Sequence, residues 1–201
     1  MKTRSCLLAI TVLGCALGSL TNRASAQIGS NWQLYSSSHN LSVAPGYYYN
    51  NSGGVETFRI SGTCNRSEIH LTPDFDDSHS YQFEGYVNCR SGSNQNSIHQ
   101  TMSSPGGDAQ QIRVYNSNGG FLKVLQNGVG IANGVYGTWV RINVIYYHST
   151  GNVETWVNGS KKSTFNINGI GGGQHYWKYG CYTHQESNPQ IQWKGIRTWK
   201  K

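Results

Sequence analysis

Residue types alternate at a period of two through the clearest patterned stretches of this chain. That period belongs to the β-strand, whose side chains point to opposite faces in turn. Val140, Ile142, Val144 and Tyr146 alternate with Trp139, Arg141, Asn143 and Ile145. Ile112 and Val114 likewise alternate with Gln111 and Arg113, as half-buried antiparallel strands do. Turn signals separate such runs, among them Pro45-Gly46, Ser52-Gly53-Gly54, Ser91-Gly92, Asn118-Gly119-Gly120 and Asn158-Gly159. Nothing comparable argues for a long helix. About ten strands at this spacing predict an all-β chain folded as a two-sheet antiparallel β-sandwich. One sheet of such a fold is often curved, and a curved sheet offers a groove to an extended polymer.

The start of the chain is of a different character. Lys2 and Arg4 precede an apolar run from Cys6 to Leu20, and Ala24-Ser25-Ala26 supplies the small residues of a cleavage site, so residues 1–26 read as a secretory signal peptide. The run is short for a bilayer span and no later stretch competes with it, which predicts a secreted protein with no membrane anchor after processing. Residues 27–201 then form a single domain, about 175 residues, enough for one full core. Losing Lys2, Arg4 and Arg23 takes the 16 basic residues to 13 against 9 acidic ones, a net charge of +4. A modest positive excess suits an acidic partner. Charged residues are only 12% of the chain, and no basic patch interleaved with aromatics is dense enough for nucleic acid.

Cys6 and Cys15 leave with the leader, so three cysteines remain in an oxidising compartment, where two are expected to pair. Cys64 and Cys89 are the expected pair because both end strand-like runs. Cys181 is then a buried thiol.

Three stretches combine the strand period with chemistry. In Tyr176-Trp177-Lys178-Tyr179-Gly180-Cys181-Tyr182-Thr183-His184-Gln185 one parity carries Tyr176, Lys178, Gly180, Tyr182 and His184, and the other carries Trp177, Tyr179, Cys181 and Thr183. The first face suits a polar ligand and the second suits packing. Gly180 weakens a strand, so its use is to let a ligand or another backbone come close. In a second stretch Arg66, Glu68 and His70 share one face, opposite Ser67, Ile69 and Leu71. Three titratable groups in a row are uncommon in a core, where charges must be paired to be buried; the plain alternative is a solvated outer face. In the third, Gln95, Ser97 and His99 share a face while Ile98 points inward. A lone histidine is more often a surface or satisfied core residue than a catalyst.

Taken in order, an Arg-x-Glu-x-basic strand, a strand ending in Ile98-His99 and a late Tyr-aromatic-Lys-x-Gly-x-Tyr strand resemble the three signature strands of the family 7 polysaccharide lyases. These are the alginate lyase group with a concanavalin-like β-jelly roll. The late strand is the most specific, with Tyr176, Lys178, Gly180 and Tyr182 in the family's spacing and Trp177 where phenylalanine is common. The resemblance runs from about Arg66 to Gln185. Three positions depart from it: His70 replaces a second arginine, Ser97 stands where glutamine is usual, and His184 takes the late strand's glutamine position, with Gln185 one place on. All three touch groups that meet the uronate, which turns attention to polyuronates other than alginate, glucuronan included.

The chemistry that the resemblance implies has clear demands. Cleaving a polyuronate by β-elimination removes the proton alpha to a carboxylate and expels a sugar oxygen across a new double bond. The intermediate gathers a second negative charge, which a cation or hydrogen-bond donor must neutralise. Arg66 is the natural neutraliser because its planar fork matches a carboxylate at two points, with Gln95 or His70 assisting. The resemblance gives His99 and Tyr182 the proton transfers. Lys178 beside Tyr182 favours its phenolate, and Glu68 orients Arg66 rather than serving as base. Ser97, Tyr176, His184 and Gln185 complete the expected substrate contacts. The scheme needs no metal or other cofactor. The expected protein is a monomer whose partner is an acidic polysaccharide.

Two rivals use the same fold. A glycoside hydrolase needs two carboxyl groups flanking the bond, and Glu68 stands alone. A non-catalytic carbohydrate-binding module or lectin would use the tyrosines at 47 to 49 and the six tryptophans as stacking surface, although the same aromatics fit a core. Asp74, Asp76 and Asp77 are oxygen ligands that calcium would accept, but a run beginning Thr72-Pro73 reads first as a polar turn. Asn40, Asn50, Asn65 and Asn158 each begin an Asn-x-Ser sequon, used only in a eukaryotic host.

Overall fold

The computed structural model describes residues 27–61, 65–76, 78–104, 107–170, 174–183 and 188–201. The leader-like residues 1–26 lie outside them. Every regular element among the described residues is a β-strand. The first half holds β1 Gln33–Leu34, β2 Ser38–Val43, β3 Tyr47–Ser52, β4 Val55–Ile60, β5 Arg66–Thr72, β6 Phe75–Asp76, β7 Tyr81–Cys89 and β8 Asn96–Ser104. The second half adds β9 Asp108–Tyr115, β10 Phe121–Val124, β11 Gly130–Asn133, β12 Val140–Tyr147, β13 Asn152–Val157, β14 Ser160–Asn166, β15 Gln174–Thr183 and β16 Gln190–Lys200. Sixteen strands among the described residues thus replace the expected ten or so. The excess lies in short strands such as β1, β6, β10 and β11, which carry too few residues to display a period.

The strands form two antiparallel sheets. One runs β14-β13-β12-β7-β16-β4-β3 with β1 beside β16; the other runs β11-β10-β9-β8-β15-β5-β2 with β6 beside β15. Their inner faces enclose one core that includes Phe58, Phe83, Ile98, Ile112, Ile142 and Trp193, all at 0% exposure. This is the expected β-sandwich, with inward positions supplied by the apolar parity of each strand. In β12, Val140, Ile142, Val144 and Tyr146 enter the core as the alternation predicts. Ile145 faces the other way, into a smaller cluster with Trp32 and Trp199, where the segment ahead of β1 covers the first sheet. Trp32 donates its indole N–H to the Ile28 carbonyl at 2.8 Å, pinning that segment.

Cys89 is a free, buried thiol at the end of β7, and Cys64 lies outside the described residues. Burial pushes the Cys89 thiol up to about 12, so it has almost no thiolate for exchange. Cys181 is buried at 0% exposure on the packing face of β15, as expected. Among the described residues no helix is long and apolar enough to cross a membrane.

Candidate functional site

The candidate site lies on the outer face of the second sheet, where β5 and β15 run side by side. Their register places Lys178 opposite His70, Gly180 opposite Glu68 and Tyr182 opposite Arg66. Opposite residues of neighbouring strands share a face. Their inward partners Ser67, Ile69, Leu71, Trp177, Tyr179 and Cys181 are all buried. Arg66, His70, Tyr176, Lys178 and Tyr182 keep partial exposure.

The outward groups engage one another. The Arg66 guanidinium carbon lies 5.4 Å from the Tyr182 ring centre, and Lys178 Nζ lies 5.8 Å from that of Tyr176. His70 stacks on Tyr176 with ring centres 4.3 Å apart, and its Nε2 meets Asp74 Oδ1 at 3.0 Å. Asp74 is therefore a partner of His70; Asp77 and the Asp76 side chain lie outside what is described. Among the described residues no cluster of His, Cys, Asp or Glu side chains could hold a metal ion. Glu68 is buried at 2% exposure, flanked along its own strand by Arg66 and His70.

Gly180 serves the backbone rather than a ligand. Its φ is +138°, and a Cβ there would lie 2.6 Å from the Ser67 carbonyl oxygen and 2.8 Å from the Glu68 Cα. Glycine is what lets β5 and β15 approach at this point. Behind the site Tyr179 fixes β15 to the core: its hydroxyl donates to Glu56 Oε2 at 2.8 Å and meets His39 Nδ1 at 2.9 Å. Tyr49 donates to the other oxygen of Glu56 at 2.9 Å. Burial first, and then the neighbouring Glu56 carboxylate, push the Tyr179 phenol well above its ordinary range and that of Tyr49 up to about 12.

The third stretch departs from expectation. Ser97 pairs with Arg113 of β9, yet His99 pairs with Ile112, so β8 carries one residue more than β9 between these points. The bulge at Ile98 reverses the parity of everything after it. His99 consequently sits opposite Tyr179, on the inward side, at 0% exposure. Its ring centre lies 4.5 Å from that of Phe83, and neither ring nitrogen has a hydrogen-bond partner among the described residues. Burial lowers its pKa from 6.5 to about 3. This corrects the expected catalytic role of His99: a neutral imidazole inside the core cannot reach a proton on the outer face. Gln95 precedes β8 with a φ of +53°, outside the strand on which it was expected to share a face with Ser97 and His99. His184 and Gln185 lie outside the described residues.

The bulge brings other groups to the outer face. Gln100 takes the position opposite Lys178, and Ser97 lies opposite Tyr182. Beyond them Arg113 Nε donates to Ser97 Oγ at 3.1 Å and to Gln111 Oε1 at 2.9 Å, while Ser97 Oγ donates to Gln111 Oε1 at 2.6 Å. The alternation of Gln111 and Arg113 with Ile112 and Val114 already marked those two as outward. Gln100 carried no such mark, since its facing depends on the bulge. The face thus carries Arg66 and His70 on β5, Lys178 on β15 and, across β8, Arg113 on β9, a surface suited to carboxylates.

Comparison with known proteins bears on this geometry in two ways. No protein-family model matches the chain. A citrate-binding protein of Hevea brasiliensis is 31% identical over 144 residues, covering 70% of this chain, and the chain spans only 58% of that protein's length. Among solved structures, a marine family 7 alginate lyase of Zobellia galactanivorans superposes with a TM-score of 0.64 at 16% identity, covering 85% of this chain and 95% of that one. An alginate lyase of a Corynebacterium species gives 0.63 at 14% identity, covering 80% and 83%. A Pseudomonas aeruginosa alginate lyase gives 0.62 at 14%, covering 75% and 85%. The chain has the jelly-roll fold of the family 7 alginate lyases.

Proposed function

We propose that this protein binds the carboxylates of an acidic polysaccharide on the outer face of its second sheet and cleaves the chain there by β-elimination. The observation that carries the proposal is Arg66 set beside Tyr182 across β5 and β15, a carboxylate clamp next to a phenol. Arg66 holds the uronate carboxylate at two points and offsets the charge that grows on it. With His99 in the core, Tyr182 takes both proton steps. As phenolate beside the Arg66 guanidinium, it removes the proton alpha to the carboxylate. The carbon–hydrogen pair becomes the new double bond, the glycosidic carbon–oxygen bond breaks, and the leaving oxygen takes the proton back from Tyr182. The phenolate is thereby restored.

One group serving both steps requires the hydrogen and the leaving oxygen on the same ring face. β-Linked mannuronate and glucuronate meet that condition; guluronate and galacturonate do not. The leader-like residues 1–26 complete the reading as a secreted lyase. Hydrolysis is disfavoured because the carboxylates described beside Arg66 and His70 are Glu68, buried at 2% exposure, and Asp74, engaged by His70, and these do not make an open pair flanking a bound sugar.

A second reading is binding without turnover. It draws on the buried His99 and on the Hevea relative, whose name denotes binding of citrate, a small polycarboxylate. Ultraviolet absorbance of the unsaturated product separates the two, with polymannuronate, polyguluronate, glucuronan and pectate each mixed with purified protein and with a Tyr182→Phe variant. The lyase reading expects a rise on polymannuronate or glucuronan that the variant loses by about 100-fold or more while still retaining polymer. No rise on any polymer, with citrate or polyuronate still bound, sinks turnover and leaves the binder.

A further inference from the structure

The opposite sheet carries a cationic trough of its own. On the outer face of the first sheet Tyr48 of β3 lies opposite Arg59 of β4, and Arg59 lies opposite Gln190 of β16. One row further on, Thr57 lies opposite Gln192, and Gln192 opposite Asn88 of β7. Arg90, just past β7, donates its backbone N–H to the Gln190 carbonyl at 2.9 Å, which brings a second guanidinium to the same place. Two depressions meet here. One of about 260 Å³ is lined by Tyr48, Arg59, Arg90 and Gln190; one of about 540 Å³ by Asn88, Arg90, Gln190 and Gln192. Arg90 and Gln190 belong to both, so the two form one trough across four strands.

The polar groups of this trough are largely unspent. Among the described residues neither Arg59 nor Arg90 has a carboxylate partner, and Arg59 instead lies over the Tyr48 ring at 4.7 Å. Gln192 donates its amide N–H to Thr57 Oγ1 at 3.2 Å, and no hydrogen bond to its carbonyl oxygen occurs among the described residues. Tyr48 is 43% exposed as a residue. Two guanidinium forks beside side-chain amides and an open aromatic face match a sugar carrying carboxylates: forks for the carboxylates, amides for hydroxyls, a ring for the sugar face.

We propose that this trough is a second, non-catalytic site for a carboxylate-bearing glycan, on the sheet opposite Arg66 and Tyr182. It takes the ligand's chemical class from the function proposed above, but the site stands on its own residues. The same chemistry would also accept a free polycarboxylate such as citrate. A site of this kind holds polymer on the protein while the other sheet works, so its loss raises KM on long chains and leaves kcat on short ones unchanged.

The test is calorimetric titration of the Arg66→Ala protein with oligomannuronate, oligoglucuronate and citrate, with an uncharged gluco-oligosaccharide as control. The expected result is one remaining binding event, weakened about tenfold or more when Arg59→Ala and Arg90→Ala are added. Arg59→Lys with Arg90→Lys keeps the charge without the fork and should fall between. Both arginines are exposed, so unchanged melting temperatures are expected to accompany these losses. Binding of citrate alone through this pair supports the site and assigns it the free acid. No binding left in the Arg66→Ala protein, or equal binding after both arginines are removed, overturns it. A wild-type protein that never turns over polymer yet shows the Arg59- and Arg90-dependent event refutes the lyase reading and not this site.

Discussion

His99 concentrates the physical argument at the scale of one residue. A buried imidazole with two nitrogens lacking partners costs about 1–3 kcal/mol against an apolar side chain of similar size. His99→Leu should therefore raise stability by about 1 kcal/mol or more at neutral pH, read from the denaturant midpoint. The pH dependence has a definite sign. The unfolded imidazole protonates below 6.5, whereas the folded one resists down to about 3, so in that window the unfolded state binds the extra proton. Stability from this group is full above 6.5 and falls as pH falls toward 3. The advantage of His99→Leu should widen between pH 7 and pH 4, about the range in which the two states differ in protonation. A variant that is less stable, or whose advantage does not change with pH, would mean the imidazole has a partner. Tyr182 is the contrasting case: its outward facing followed from alternation in the sequence, and its loss is expected to cost turnover rather than stability.

Between elements the decisive feature is how β5, β8 and β15 fit together. Gly180 lets two backbones meet at a distance no side chain tolerates, with a φ that L residues rarely adopt. Gly180→Ala should destabilise by about 1–3 kcal/mol, measured by chemical denaturation, because Ser67 and Glu68 would have to retreat. An unchanged midpoint would show that β5 yields cheaply. The facing of β5 and β15 was legible in the sequence because alternation is local: once Ile69, Leu71, Trp177 and Tyr179 are inward, Arg66, His70, Lys178 and Tyr182 must be outward. The facing of β8 was not. A bulge arises from the pairing of one strand with two neighbours, and nothing in Asn96-Ser97-Ile98-His99-Gln100 announces where an extra residue will be absorbed. Gln100 was missed for the same reason that His99 was misplaced.

The whole molecule is a layered object whose stability should not be uniform. β7 is bonded on both sides, to β12 and β16, and β8 to β9 and β15, while β2 and β3 are mostly exposed sheet edges. Amide exchange should be slower by about 100-fold or more in β7, β8 and β15 than in β2 and β3, since edge strands open without disturbing the core. Equal protection would mean the edges unfold only with the whole domain. That the chain is a β-sandwich, and which face of β5 and β15 is chemical, can be read from residue order alone, because both follow from a period of two. Strand pairing alone puts His99 in the core, brings Gln100 and Arg113 to complete the outer face, and makes Arg59 and Arg90 meet behind it. Each depends on which strands become neighbours and in what register, and a local pattern carries no information about register.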